Sequence, residues 1–270
     1  MRTIAHISDI HFDRVDANVV EGLLRDIHEF APSLVVVSGD LTQRGRRGQY
    51  QRAAVFLSRL PSSRLVVPGN HDISLFAIWR RMVCPLRRFR RFITPDLLPV
   101  FRDVEVIVMG INTARAIAFS WDGFWKDGRV SRDQLACISQ VMNSAPPDLF
   151  KVLVTHHPFI PPPGERLHGV VHGASEALHV LQECGIDLLL AGHLHMGYSG
   201  DVRTHHEAVT RTMLSVQAGT ATSTRRRGEP NAYNRLTLSG QTITIEVRSW
   251  SGDRFVTTAE IVHPRHADCV

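Results

Sequence analysis

An α/β fold is predicted by three features of the chain. Short aliphatic runs, Thr3–Ser8, Leu34–Ser38 and Leu65–Val67, alternate with segments of helical spacing in β-α-β-α-β order. Each run stops abruptly at polar groups: Asp9-x-His11, Gly39-Asp40 and Gly69-Asn70-His71-Asp72. Beyond Gly200 the pattern becomes β-rich, over Arg211–Val216, Asn234–Leu238, Thr242–Trp250 and Phe255–Val262. Nothing between these segments has linker composition, so residues 1–270 read as one domain.

The elements follow in order. Asn18–Phe30 places Val19, Leu23, Leu24 and Ile27 on one helical face, and Pro32 follows its end. Gln49–Leu60 is the second helix. Residues 73–101 depart from the alternation. There Arg80, Arg81, Arg87, Arg88, Arg90 and Arg91 interleave with Phe76, Trp79, Met82, Leu86, Phe89 and Phe92, and Asp96 is the one acid. This reads as a basic amphipathic helical insertion broken near Pro85: a cap, an anion-gathering lid, a dimer contact or, through residues 76–92, a contact with an anionic membrane surface. Val104–Gly110 is a strand, and Ser131–Asn143 a helix capped by Ser131. Lys151–Thr155 is a strand running into His156-His157-Pro158. Ser175–Cys184 is a helix stopped by Gly185, and Asp187–Leu190 a strand running into Gly192-His193-Leu194-His195. Ser239-Gly240 marks a hairpin turn.

Composition narrows the class. Hydrophobic residues make up 43% of the chain, enough for a large core. The net charge of +5 suits an anionic ligand without demanding nucleic acid, and no long basic stripe is present. Cys84, Cys137, Cys184 and Cys269 are scattered, which argues against a zinc ribbon or a disulfide framework. Asp9 arrives before a signal-peptide core could fit, and no apolar run is long enough to span a bilayer. A cytoplasmic protein is the expectation, peripheral to the membrane if the insertion binds lipid.

Collected, the strand ends present Asp9, His11, Asp40, Asn70, His71, Asp72, His156, His193 and His195. Mixed oxygen and nitrogen donors without thiolates select Mn, Fe or Zn over Ca. Two neighbouring cations repel, so a carboxylate between them is needed, and Asp40 is the natural bridge. Two such ions would clamp both oxygens of an in-line phosphoryl displacement and activate a shared hydroxide. The leaving alkoxide then needs an acid, ideally an imidazole.

The pattern D-x-H…GD…GNHD…H…GHxH, from Asp9 to His195, resembles the calcineurin-like metallophosphoesterase superfamily. The resemblance implies a four-layer αββα sandwich of two mixed β-sheets, with residues 203–270 completing the second sheet. It implies that Asp9, His11, Asp40 and His195 bind one metal, and that Asp40, Asn70, His156 and His193 bind the other. It makes His71 the acid or transition-state-stabilising histidine, and Asp72 the carboxylate that holds its ring. His6-Ile7-Ser8-Asp9, Gly39-Asp40-Leu41-Thr42, Val67-Pro68-Gly69-Asn70-His71-Asp72-Ile73 and Ala191-Gly192-His193-Leu194-His195 are similar to the bacterial class III cyclic-nucleotide phosphodiesterase branch.

The expected function is therefore metal-dependent hydrolysis of a small phosphodiester, cyclic nucleotides included. Hydrolysis of a phospholipid or nucleotide-lipid pyrophosphate at a membrane surface is the alternative, and a non-catalytic interaction module is another. Arg44 is a candidate substrate contact or part of a solvated loop, and His157 a candidate substrate contact or a residue that buttresses the site or faces solvent. His6 reads as structural. Trp121–Asp127 is a candidate lip over the site, and Arg225-Arg226-Arg227 a solvated run or a phosphate contact.

Overall fold

The computed structural model describes residues 1–61, 63–74, 78–116, 128–162, 169–206, 208–225 and 228–265. Trp121–Asp127, Arg226, Arg227 and Cys269 lie outside the described residues.

In chain order the elements are β1 (Arg2–Ile7), α1 (Ala17–Phe30), β2 (Leu34–Val37), α2 (Arg47–Arg59), β3 (Arg64–Val66), α3 (Ile78–Val83) and α4 (Arg87–Phe92). They continue with β4 (Val100–Arg102), β5 (Val106–Gly110), α5 (Arg132–Asn143), β6 (Phe150–Val154), α6 (Ala174–Glu183) and β7 (Leu188–Ala191). The last are β8 (Tyr198–Asp201), β9 (Leu214–Gln217), β10 (Ala232–Ser239), β11 (Thr242–Trp250) and β12 (Phe255–Pro264). Predicted helix starts agree with the caps: Asp16 accepts from Asn18 N–H (2.9 Å), and Ser131 exchanges bonds with Gln134 (3.2 and 2.9 Å). β5 starts at Val106 rather than Val104 because Asp103 accepts from the N–H groups of Glu105 and Val106, which turns the chain first. The insertion is broken around Pro85, as its sequence predicts.

Two six-stranded mixed sheets form, in the orders β12-β11-β10-β1-β2-β3 and β4-β5-β6-β7-β9-β8. The inner strands β2, β5 and β7 carry no polar side chain because both of their faces are buried. Ala5, Ile7, Val35 and Val37 pack outward with α1, α2 and α4. Ile107, Met109, Leu153 and Leu189 pack outward with α5 and α6. The alternate residues, among them Ile4, Val36, Val108, Val152 and Leu190, meet in one core between the sheets. The result is the αββα layering that the resemblance implies.

One expectation is corrected. Of the strands in residues 203–270, only β9 joins the second sheet; β10, β11 and β12 extend the first. β10 pairs antiparallel with β1, from Arg2↔Leu238 to His6↔Asn234. Leu236, Leu238, Ile243 and Ile245 fill the inter-sheet core from there. The opposite faces carry Arg235, Arg248 and Tyr233 onto buried Asp26 of α1, with Arg235 Nη2 at 2.8 Å and Arg248 Nη2 at 2.5 Å. Asp26→Ala leaves two guanidinium groups without their anion beneath a packed face. Denaturant unfolding is expected to show a loss of about 3 kcal/mol, the range for breaking a buried ion pair from one side.

Cys84, Cys137 and Cys184 are free thiols. Among the described residues no helix is long and apolar enough to cross a membrane.

Candidate metal centre

The carboxyl ends of strands from both sheets meet at one edge of the sandwich. Asp9 and His11 follow β1, and Asp40 follows β2. Asn70-His71-Asp72 form a single 3-10 turn after β3. His156 follows β6, and His193 and His195 follow β7. Aiming side chains inward from so tight a set of turns strains the backbone. Asp9, His11, Asp40, His193 and His195 all have left-handed φ, between 51° and 77°. Two glycines allow the loops to close: a Cβ at Gly69 would strike Asp40 Oδ1, and one at Gly192 would strike Ser8 and stand 2.6 Å from Asp9 Oδ2. Gly192→Ala is expected to weaken metal affinity about 10- to 100-fold by displacing Asp9, read by titration with a competing chelator.

The donors fall into two groups that share one carboxylate. In the first, His11 Nε2 and His195 Nε2 stand 3.3 Å apart, at 3.7 and 3.6 Å from Asp9 Oδ1. In the second, Asn70 Oδ1 lies 3.0 Å from His156 Nε2 and 3.1 Å from His193 Nδ1. Asp40 stands between them, with Oδ2 3.7 Å from His11 Nε2 and Oδ1 3.4 Å from His156 Nε2. One Asp40 oxygen therefore faces each group.

The rings are fixed from behind. His156 Nδ1–H donates to Ser38 O (2.8 Å), so Nε2 offers its lone pair to the cluster. His195 Nδ1 bonds Thr220 Oγ1 (2.8 Å), which likewise frees Nε2.

The electrostatics call for cations. Asp9 and Asp40 are 0% and 1% exposed, and Asp9 Oδ1 and Asp40 Oδ2 have no hydrogen-bond partner among the described residues. Burial disfavours the charge of Asp40, yet His156 and His71 beside it hold its pKa well below the ordinary carboxylate range. Burial also opposes a charge on His156, but Asp40 and Asp9 outweigh it and its pKa stands at about 9. Without metal, a proton on His156 Nε2 thus supplies positive charge that the two buried carboxylates require; a bound cation would take its place and free the lone pair. His193 goes the other way, to about 3, through desolvation and then the repulsion of His156, which keeps its lone pair available. Unpartnered carboxylate oxygens facing imidazole nitrogens and an amide oxygen are a donor set for two borderline transition ions.

Three expectations need revision or addition. Asp72 does not touch the His71 ring. Its carboxylate accepts from the N–H groups of Leu41 (3.2 Å), Thr42 (2.9 Å) and Gly69 (3.0 Å) and from the Thr42 hydroxyl (2.9 Å). Burial, reinforced by Asp40's charge, pushes its pKa up to about 6. Asp72 therefore locks the loops that carry Asp40 and His71, and the ring is held instead by Gln43 O, which accepts from His71 Nδ1–H at 2.8 Å. His157 is 0% exposed, bonds Thr113 Oγ1 through Nδ1 (2.8 Å) and packs against the His193 ring at 4.4 Å. Its burial corrects the substrate-contact reading: it buttresses the ligands. Arg44 is exposed on the loop after Asp40, where its backbone N–H donates to Gln49. His6 is structural, bonded to Ser38 Oγ at 2.9 Å.

Arg225 is the addition. Its guanidinium stands 3.5 Å from His71 Nε2 on an exposed edge of the cluster. The loop is pinned there: Thr224 N–H and Oγ1 donate to Arg14 O (2.6 and 3.1 Å), and Asn231 Nδ2 donates to Ser223 O (2.9 Å). The triple arginine was the signal for it.

Comparison with known proteins agrees with this geometry. A family model described as calcineurin-like phosphoesterase matches residues 2–197. Glycerophosphodiester phosphodiesterase GpdQ of Enterobacter lignolyticus is 38% identical over 95 residues, covering 30% of this chain and 34% of that protein. The match thus spans about a third of the relative's length. A purple acid phosphatase from yellow lupin (Lupinus luteus) superposes with a TM-score of 0.68 at 11% identity, over 97% of this chain and 53% of the lupin chain. A dimetal phosphatase from Danio rerio superposes with a TM-score of 0.67 at 13% identity, over 98% of this chain and 99% of that one. These two likenesses are of fold. With the matched stretch running through every candidate ligand from Asp9 to His195, the chain belongs to the calcineurin-like phosphoesterase family.

Proposed function

We propose that the chain hydrolyses a small phosphodiester at a two-metal centre. The observation that carries this reading is Asp40, a buried carboxylate with one oxygen toward each group of donors. Asp9, His11, Asp40 and His195 would hold one ion, and Asp40, Asn70, His156 and His193 the other. Bound Mn, Fe or Zn ions would supply Lewis acidity and lower the pKa of water.

The chain's own residues do the rest. Ser38 and Thr220 orient His156 and His195. Gln43 fixes the His71 tautomer, so that Nε2 faces the open edge of the cluster beside Arg225. Burial, with Arg225 as a further contributor, lowers the His71 pKa; an anionic substrate seated between the two groups would counter that and favour a proton on Nε2. Arg225 and the exposed Arg44 are the guanidinium groups suited to a phosphate's free oxygens. Arg225→Ala is expected to raise KM on the order of tenfold with a smaller change in kcat, and Lys to restore part of it.

The segment shared with GpdQ, a glycerophosphodiester phosphodiesterase by name, favours an alkyl diester of that type as substrate. The resemblance to cyclic-nucleotide phosphodiesterases supports the second reading. The test is a panel of glycerophosphodiesters, cyclic nucleotides and phosphomonoesters with metal-loaded protein, compared as kcat/KM. Preference for either diester class supports the proposal and chooses between the two readings. Turnover of monoesters alone, or of none, would overturn it.

A further inference from the structure

We propose that the face formed by α3 and α4 docks the protein on an anionic bilayer surface, with lipid phosphates seated in an arginine-lined cavity. Trp79, Met82 and Val83 lie at i, i+3 and i+4 on α3 and share one face. They are 81%, 51% and 77% exposed. Side chains of this size at helical spacing ordinarily pack inward; here they form one outward stripe. α4 follows three residues later and carries arginines of its own. Arg87, Arg90 and Arg91 share its exposed face, opposite the buried Phe89. Among the described residues no carboxylate lies within ion-pair distance of these three. Next to them is a cavity of about 260 Å³ lined by Arg47, Arg81, Arg87, Arg88, Arg91 and Ser74. Asp72 also reaches its wall, but its carboxylate is already engaged by four donors.

The combination selects the occupant. A soluble anion would fill the cavity and leave the apolar stripe in water. A second copy meeting this face symmetrically would oppose arginine with arginine. An anionic bilayer satisfies both halves, because apolar side chains enter the headgroup–acyl boundary while guanidinium forks meet phosphates. Arg88 Nη1 donates to Gly45 O (2.6 Å) and Ser74 Oγ (3.3 Å), which ties the docked cap to the loops carrying Gln43 and His71. The proposal stands on this surface alone and does not depend on which diester is hydrolysed.

The test is sedimentation of the full, metal-loaded chain with vesicles of phosphatidylglycerol and phosphatidylcholine, and with phosphatidylcholine vesicles alone. Binding to the anionic vesicles that weakens with salt is expected, with none to the neutral ones. Reversing Arg87, Arg90 and Arg91 to Glu is expected to reduce partitioning by about 100-fold or more, since each basic residue near such a surface contributes roughly fivefold. Trp79→Ser, Met82→Ser and Val83→Ser together are expected to reduce it about tenfold. Matching circular-dichroism spectra and unchanged turnover of a soluble diester would show that both variants are folded. Equal binding to the two vesicle types, or wild-type partitioning by both variants, would overturn the proposal. Protein that ignores anionic vesicles but gains thermal stability from inorganic phosphate would make the cavity a soluble-anion site. Dimers dissolved by the serine variant, without vesicle binding, would make the face a self-contact. Either result also overturns the proposal.

Discussion

Asp40→Asn is expected to lower kcat/KM by about 10³-fold or more and to remove most of the stability that bound ions give the folded protein. The two effects have one cause. Asp40 is a buried carboxylate with an unpartnered Oδ2 and a left-handed backbone. Without metal, desolvation works against its charge, and His156 and His71 beside it outweigh that cost. Asparagine tolerates the same φ, keeps an oxygen for the His71 N–H (2.9 Å to Oδ1 in the wild type) and removes the charge. With metal the charge matters more. Ions that bind only the folded state stabilise it by about 4 kcal/mol at a thousand times Kd, on the order of 10 °C for a chain this long. The variant should lose most of that gain, and elemental analysis should find fewer than two ions per chain. A variant that still holds two ions and gains as much stability from them as the wild type would mean that Asp40 is an ordinary structural carboxylate.

What was legible in the sequence was local. A strand that runs straight into polar residues declares both its own end and the donors that follow, so every candidate donor from Asp9 to His195 could be named before its neighbours were known. The insertion's break at Pro85 was equally local. What escaped depends on distant chain meeting distant chain. β10 pairs with β1 across more than two hundred residues, and an alternating strand carries no mark of the sheet it will join. β4 is a three-residue edge strand, and β8 contains Gly200, so neither has a distinct pattern. The partners that fix the rings are backbone carbonyls of Ser38 and Gln43, a group that every residue possesses. Asp72 misled because it is adjacent to His71. In a 3-10 turn successive side chains diverge by about 120°, which sends Asp72 back into the loops while His71 faces out.

His71→Ala should separate chemistry from metal binding. His71 hydrogen-bonds the cluster through its backbone N–H to Asp40 Oδ1, which alanine retains, and its ring meets the His11 ring edge-on at 4.9 Å without being one of the donors, so two ions per chain should still be found. Its ring is fixed by Gln43 O at Nδ1, and Nε2 is the atom presented to a leaving group. An acid at that position matters in proportion to the basicity of the oxygen expelled. For a glycerol-type diester, whose alkoxide must be protonated, kcat should fall about 10²- to 10⁴-fold. For bis(p-nitrophenyl) phosphate, whose nitrophenolate leaves unaided, the loss should be less than about tenfold. KM should change little for either, because an interaction made in the transition state is removed rather than one made on binding. A loss of equal size on both substrates would remove the acid role and leave His71 a stabiliser of the transferring phosphoryl group. The Arg225→Ala comparison then tells which neighbour holds the substrate: a rise in KM confined to the Arg225 variant assigns binding to the guanidinium and proton transfer to the imidazole.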